Sequence, residues 1–358
     1  MNQVAFRLSR HHLGRRAPAG TAVEVARRLC GLHAQVMSSA DLSLWARVRG
    51  HGADDLARAL WDERTLVKTW LMRGTLHAVP ADDLPLFVGA LDNRGRYDAA
   101  WLRYYALEAA SIERLIEAIH DVLDGACLTR AELVQAVRPR VGKGVAERLR
   151  SGWGEFLKPA ARRGVLCFGP SRSQNVTFVR PDQWLGRWRD IDRGEARAEL
   201  LRRFLGAYGP ATMDDFGRWL GSKRRLREQL EALAGEVEEV EPKRFALAAD
   251  RSALARARAS RGVRLLPGFD PFVLAPFSQR PVDEAFMNRV YRQAGWISAT
   301  VLVGGQAAGV WKHERRGPRL EVRAEAFKRM AKPTREAVER EARSLARHLG
   351  GELDLRFQ

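Results

Sequence analysis

From its sequence the chain is expected to be α+β: three tandem runs of short helices, each closed by a two-stranded hairpin, then a small β-barrel with a C-terminal helix. Two observations predict this. Apolar residues at helical spacing give way three times to β-rich runs broken by a tight turn. After about residue 263 the helical spacing stops and strand-like runs take over. The three copies share element order and little identity, so the repetition is architectural.

In the first copy the spacing predicts a helix over residues 21–33, with Val23, Ala26, Leu29 and Cys30 on one buried face. Two residues apart on a helix, His33 and Gln35 diverge by roughly 200°, so they converge only if the helix ends or unwinds there. Val36-Met37-Ser38-Ser39 fits such an ending. A polar pair at a helix end, just ahead of the apolar 42–46 run, is a place for chemistry; the alternative is that the two side chains satisfy local backbone groups. Helices near 42–48 and 53–63 follow, then strands 65–71 and 75–79 joined across Arg73-Gly74. Residues 82–91 begin a connecting helical segment that runs through the aromatic 97–105 region.

In the second copy Ser111 is expected to cap a helix carrying Ile112, Leu115, Ile116, Ile119, Val122 and Leu123. Thr129 caps the next helix, with Glu132 completing a capping box. A third helix over 152–163 precedes strands 165–168 and 176–179 around a polar turn. The third copy has a helix over 196–206 and one over 213–220 capped by Thr212. A very basic helix over 223–233 is capped by Ser222, and strands 237–240 and 245–248 close the copy. Helices followed by such a wing describe a winged helix–turn–helix, a common carrier of DNA recognition. The C-terminal part reads as strands 263–266, 272–274, 296–303, 307–312 and 320–322, a helix over 334–348 and a closing strand 353–357. Gly304-Gly305 makes a two-residue hairpin turn. The expected division is 1–106, 107–190, 191–260 and 261–358, the last being the barrel-like domain.

The chain has 358 residues, of which 46% are hydrophobic. That suffices for a packed core. No run of eighteen apolar residues exists, so no transmembrane helix is expected. The first residues lack the apolar core of a secretion signal. Cys30, Cys127 and Cys167 stand far apart and form no metal spacing, which predicts buried free thiols in a reducing cytoplasm. Lys and Arg number 61 against 43 acidic residues, a net charge of +18. Such a surplus attracts polyanions, and the dominant arginine suits phosphate geometry.

Lys223-Arg224-Arg225 opens the third helix of the third copy, where phosphate contacts or a solvated face are both open readings. Lys312 and Arg315-Arg316 end a strand, as a phosphate clamp or an exposed loop. Lys68 and Arg73 flank the first wing and are expected to face the same groove as His33. Trp70, Trp153, Trp219 and Trp311 lie in apolar patterns and are expected in the core. His11-His12 is a pair in a basic N-terminal arm. The chain has no phosphate-binding glycine loop, no zinc-type Cys/His quartet and no nucleophile elbow. No cofactor or metal is expected, and any chemistry must rest on a few polar residues in a basic cleft.

Three segments carry a resemblance: Gly31-Leu32-His33-Ala34-Gln35, Lys68-Thr69-Trp70-Leu71-Met72-Arg73-Gly74-Thr75-Leu76-His77, and Leu265-Leu266-Pro267-Gly268-Phe269-Asp270-Pro271. They resemble the bacterial winged-helix DNA glycosylases of the AlkZ and YcaQ type, over most of the chain and in the same order of parts. His33-Ala34-Gln35 is similar to the AlkZ-like catalytic triplet in its histidine form. The resemblance implies excision of N7-alkylguanine, including bulky natural-product adducts and interstrand crosslinks, in DNA repair or antibiotic self-resistance. It makes His33 and Gln35 the catalytic residues. A cationic N7-alkylguanine leaves readily, so the enzyme need only position a water beside an oxocarbenium-like sugar. His33 would hold or deprotonate that water near neutral pH and Gln35 would orient it. With no lysine in the triplet, a monofunctional glycosylase is expected, acting as a cytoplasmic monomer on double-stranded DNA. The competing classes are a non-catalytic winged-helix regulator, which usually pairs two copies on a palindrome, and a nucleic-acid-binding scaffold.

Overall fold

The computed structural model describes residues 2–91, 97–186, 188–222, 226–274 and 277–358. The chain forms two compact units. One joins Met1–Leu56 to Leu201–Gln358, and the other is Ala57–Leu200.

The first unit is built on a five-stranded sheet of Val263–Leu266, Thr300–Val303, Gln306–Arg316, Arg319–Ala326 and Glu352–Phe357, each strand beside the next. The first four pair antiparallel. The last pairs parallel with Arg319–Ala326, with Leu320 opposite Leu353. A parallel pair needs a crossover, and the helix Lys332–Leu349 supplies it. That helix buries Val338, Ala342, Leu345 and Ala346 and packs on the strands Val263–Leu266 and Glu352–Phe357. These two strands are the open edges of the sheet. The expected barrel is therefore corrected to an open sheet whose apolar face is covered by a helix. At the Val303–Gln306 hairpin, Gly304 and Gly305 both take positive φ, 59° and 91°, as a tight twisted turn requires.

The helix Met37–Trp45 lends Leu42 and Trp45 to the same core as Leu265, Phe272, Val301, Trp311 and Val322. Residues 272–274, expected as strand, belong to the helix Pro271–Leu274. The Asp270 side chain accepts from the Phe272 amide, and proline suits the first helical position, so the local signals favour a helix start. The N-terminal stretch is also no arm: Gln3–Arg10 is a helix that buries Phe6 and Leu8, and His11 after it is fully buried, its Nε2 3.1 Å from the Ala207 carbonyl. Further on, Thr212 caps Met213–Leu220 with a capping box closed by Asp215. The strands Val237–Glu241 and Arg244–Leu247 then pair as a hairpin.

The second unit repeats the pattern of helices closed by hairpins. Leu66–Trp70 pairs antiparallel with Leu76–Pro80, turning at Arg73-Gly74. The helix Ala109–Val122 packs on Arg130–Glu147, which Thr129 and Glu132 open with the expected capping box. Ser111 lies inside the first turn of Ala109–Val122; Glu108 holds the cap position. The stretch 152–163 is helical only over Lys158–Arg162. Cys167–Arg172 and Asn175–Val179 form the second hairpin. Trp70, Ile112, Leu115, Leu133, Phe168 and Phe178 fill this core. Trp70, Trp219 and Trp311 are buried as expected, but Trp153 is 74% exposed. Cys30 and Cys167 are buried and Cys127 is half-buried.

Candidate active site

The His33–Gln35 stretch begins where a helix stops. Ala22–Arg28 is shorter than its apolar spacing suggests, and the chain leaves it through Cys30 and Gly31 at φ 55° and 101°. Two consecutive left-handed residues cannot continue an α-helix. Leu32–His33 is extended instead, Gln35 and Val36 bend, and Met37–Trp45 begins. The helix expected over 21–33 is corrected accordingly: it ends before His33, and His33 and Gln35 lie in the non-helical link that follows. Leu32 and Ala34 are fully buried, His33 is 8% exposed, and Gln35 is exposed. The apolar neighbours thus pin the segment while the amide of Gln35 meets solvent.

The His33 ring lies flat on Phe269, with centroids 4.9 Å apart and planes 13° apart. Phe269 is itself held in the left-handed region at φ 61°. Its anchor is the next residue. Asp270 is fully buried and takes a bidentate pair from Arg47, both N–O distances 2.7 Å. It also accepts from the Phe272 amide at 2.9 Å, and Arg47 donates further to the Ser43 carbonyl at 3.0 Å. Arg47 lies two residues past the end of the helix Met37–Trp45. The polar pair thus lies in the link leading into this short helix, and the cation paired with the residue after Phe269 lies just past its end. Sequence reasoning missed Phe269, Asp270 and Arg47 as site residues. The available signal was an acid between phenylalanine and proline in Pro267-Gly268-Phe269-Asp270-Pro271, and an arginine just beyond the apolar 42–46 run.

The predicted DNA-contacting residues divide between the units. Lys68 and Arg73 belong to the second. Lys68 is half-buried with its ammonium 5.0 Å from the Phe168 ring centre, and burial lowers its pKa. Arg73 sits at the hairpin turn at φ 57°. Lys312, Arg315 and Arg316 belong to the first, on the exposed end of the Gln306–Arg316 strand. Arg315 donates to the Leu349 and Gly350 carbonyls, where the helix Lys332–Leu349 ends with unpaired acceptors. Arg316 pairs with Glu314 and Glu321. Lys312 is exposed. Lys223, Arg224 and Arg225 lie outside the described residues. Among the described residues, no group of His, Cys, Asp and Glu is arranged to hold a metal ion, and no helix is long and apolar enough to cross a membrane.

Known proteins bear directly on this geometry. A curated relative from Streptomyces sahachiroi, an interstrand DNA cross-link repair glycosylase, is 38% identical over 321 residues, 86% of each chain. The solved structure of the Streptomyces sahachiroi DNA glycosylase AlkZ superposes with a TM-score of 0.88 at 35% identity, covering 99% of this chain and 98% of that one. The AlkZ-like DNA glycosylase family model matches residues 26–348, a span that opens just ahead of His33 and closes at the end of the helix capped by Arg315. With fold, length and sequence in agreement, the chain belongs to the AlkZ-like DNA glycosylases and is an enzyme of that class.

Proposed function

We propose that this glycosylase hydrolyses the N-glycosidic bond of N7-alkylguanine in double-stranded DNA, including bulky natural-product adducts and interstrand crosslinks, in repair or self-resistance. The observation that carries this is the curated relative, whose name states interstrand cross-link repair and which aligns over most of the chain. His33 holds or deprotonates the attacking water and Gln35 orients it. Support for these roles is the short non-helical link that holds both residues between two helices, and the ring packing that restricts His33. Alkylation at N7 already makes the base a good leaving group, so a base with a pKa near neutrality suffices. No lysine lies in the triplet, so the enzyme is monofunctional.

The three runs of helices closed by hairpins are read as winged helix–turn–helix units, divided at 106, 190 and 260. They bind DNA as a monomer, in the cytoplasm. Lys68, Arg73, Lys223, Arg224, Arg225, Lys312, Arg315 and Arg316 are the proposed phosphate contacts, and Arg315 would have to serve DNA and the helix end together. Family membership sets aside the non-catalytic regulator.

The test is single-turnover excision from duplexes carrying 7-methylguanine, a bulky N7 adduct or an N7–N7 crosslink. Gln35→Ala and His33→Ala should each slow release roughly 10²-fold or more, and His33→Gln should keep part of the activity. Affinity for undamaged duplex should survive, since phosphates dominate it. A wild-type rate from the doubly substituted protein would refute the assignment; loss of folding would restore His33 and Gln35 to a structural role.

A further inference from the structure

A second aromatic contact continues from the His33–Phe269 stack to the surface. Trp296 meets Phe269 in a T-shaped contact with centroids 4.9 Å apart and planes at 77°. Two ring-to-ring steps of 4.9 Å thus lead from the imidazole to the indole. A T-shaped contact covers at most one face of the indole. Trp296 is 54% exposed, one of few large apolar side chains left open among the described residues, where other tryptophans such as Trp45, Trp70 and Trp311 are buried to 5% or less.

Its backbone is not loose. The turn Gln293–Gly295 takes positive φ at Ala294 and Gly295, 54° and 74°. The Arg292 amide donates to the Trp296 carbonyl at 2.8 Å, and Tyr291 bridges to Ile297. A tight turn with a strained non-glycine residue thus presents an indole to solvent beside the ring that backs His33. Burying this indole would have been the cheaper use of an apolar side chain. Exposed rings on fixed supports are what nucleobases stack on, because every base has a π-face.

We propose that Trp296 is a stacking platform for a nucleobase at the lesion, placed by Phe269 next to the reacting sugar. The ligand class is the open face of a purine or pyrimidine that has lost its stacking neighbour in the duplex. This deepens the proposed function and rests on His33 marking the reaction centre. Trp296 itself transfers no proton and forms no bond; it fixes the angle at which the substrate meets His33 and Gln35.

The experiment uses the full chain with two readouts. The first is emission from a duplex carrying one mispaired 2-aminopurine, in a complex where nothing is cleaved. Indole stacking quenches this base strongly and a phenyl ring does so poorly. Complexes of Trp296→Ala and Trp296→Phe should therefore each emit about twofold or more above the wild-type complex. The second is excision of 7-methylguanine at subsaturating enzyme. It should fall roughly 10-fold in Trp296→Ala and stay near wild type in Trp296→Phe, which keeps a stacking ring. Undamaged-duplex affinity should change little in either. If the alanine variant fails to fold, the phenylalanine variant decides the matter by its emission. Unchanged emission in the folded variants, or a wild-type excision rate in Trp296→Ala, would overturn the platform. The emission readout needs no catalysis, so failure of His33 and Gln35 as catalysts would show in excision by their own variants and not in this signal.

Discussion

Asp270 and Arg47 form an ion pair beside the candidate site. Both side chains are fully buried and the pair is bidentate. Two desolvated charges cancel their burial cost only when geometry is good and the remaining polar atoms are partnered; here the Phe272 amide donates to Asp270 and the Ser43 carbonyl accepts from Arg47, while Arg47 Nε is buried without a hydrogen-bond partner. Removing one partner leaves a buried charge alone. Asp270→Ala is expected to cost about 3–5 kcal/mol, read by urea denaturation. The same variant should slow excision in the fraction that remains folded, because Phe269 loses its anchor and His33 its backing. A loss of stability below about 1 kcal/mol would mean that the interior tolerates Arg47 unpaired, against the burial seen here.

The helices Met37–Trp45 and Lys332–Leu349 are tied by ionisable groups. Asp41 accepts from His51 at 2.8 Å and from His348 at 2.7 Å, and the two imidazoles stack at 5.7 Å. Burial opposes protonation of His348, but the hydrogen bond and charge of Asp41 outweigh it, so its pKa is raised. Burial likewise opposes the charge on Asp41, and the bonds from His348 and His51 outweigh that, so its pKa is lowered. His348 also lies in the last turn of its helix, where the dipole favours a cation. A raised histidine pKa adds stability that is complete below the unfolded value, about 6.5, and is lost as pH rises through the folded one. A lowered carboxylate pKa adds stability present above about 3.9 and lost as pH falls through its folded value. Tm should therefore be highest between these limits and decline as pH is raised past neutrality. In Asp41→Asn the decline on the alkaline side should flatten. Parallel Tm–pH curves for the two proteins would show that the tie carries no proton linkage.

Charge belongs to the entire chain. With a net +18, binding to undamaged duplex should release condensed counterions, and affinity should fall steeply with salt. Engaging six or more phosphates would cost roughly 10³-fold between 50 and 200 mM salt, measurable by fluorescence anisotropy. Equal affinity at both salt concentrations would remove the electrostatic basis for DNA binding. Local pairing moderates the surplus: Arg316 with Glu314 and Glu321, and Arg163 with Glu113, are already engaged within the protein. The salt slope thus counts free cations, and a count of basic residues overstates it.

What could be read from the chain was whatever depends on neighbours in sequence. Thr129 with Glu132 and Thr212 with Asp215 announce helix starts because a cap and its partner lie within one turn. Gly304-Gly305 announces a hairpin because positive φ is a local demand. The His33-Ala34-Gln35 triplet was visible as a pattern, and so was the requirement that its helix unwind. The folded chain alone answered questions that turn on residues far apart in sequence. Whether the C-terminal strands close or stay open rests on where Lys332–Leu349 packs. Whether 272–274 is strand or helix rests on Asp270, whose side chain is fixed by an arginine more than two hundred residues earlier. The backing of His33 by Phe269, and of Phe269 by Trp296, is likewise a meeting of distant segments. Local chemistry sets where elements start and stop; burial and pairing between distant segments set which face each element presents, and that free energy exists only once the chain has folded.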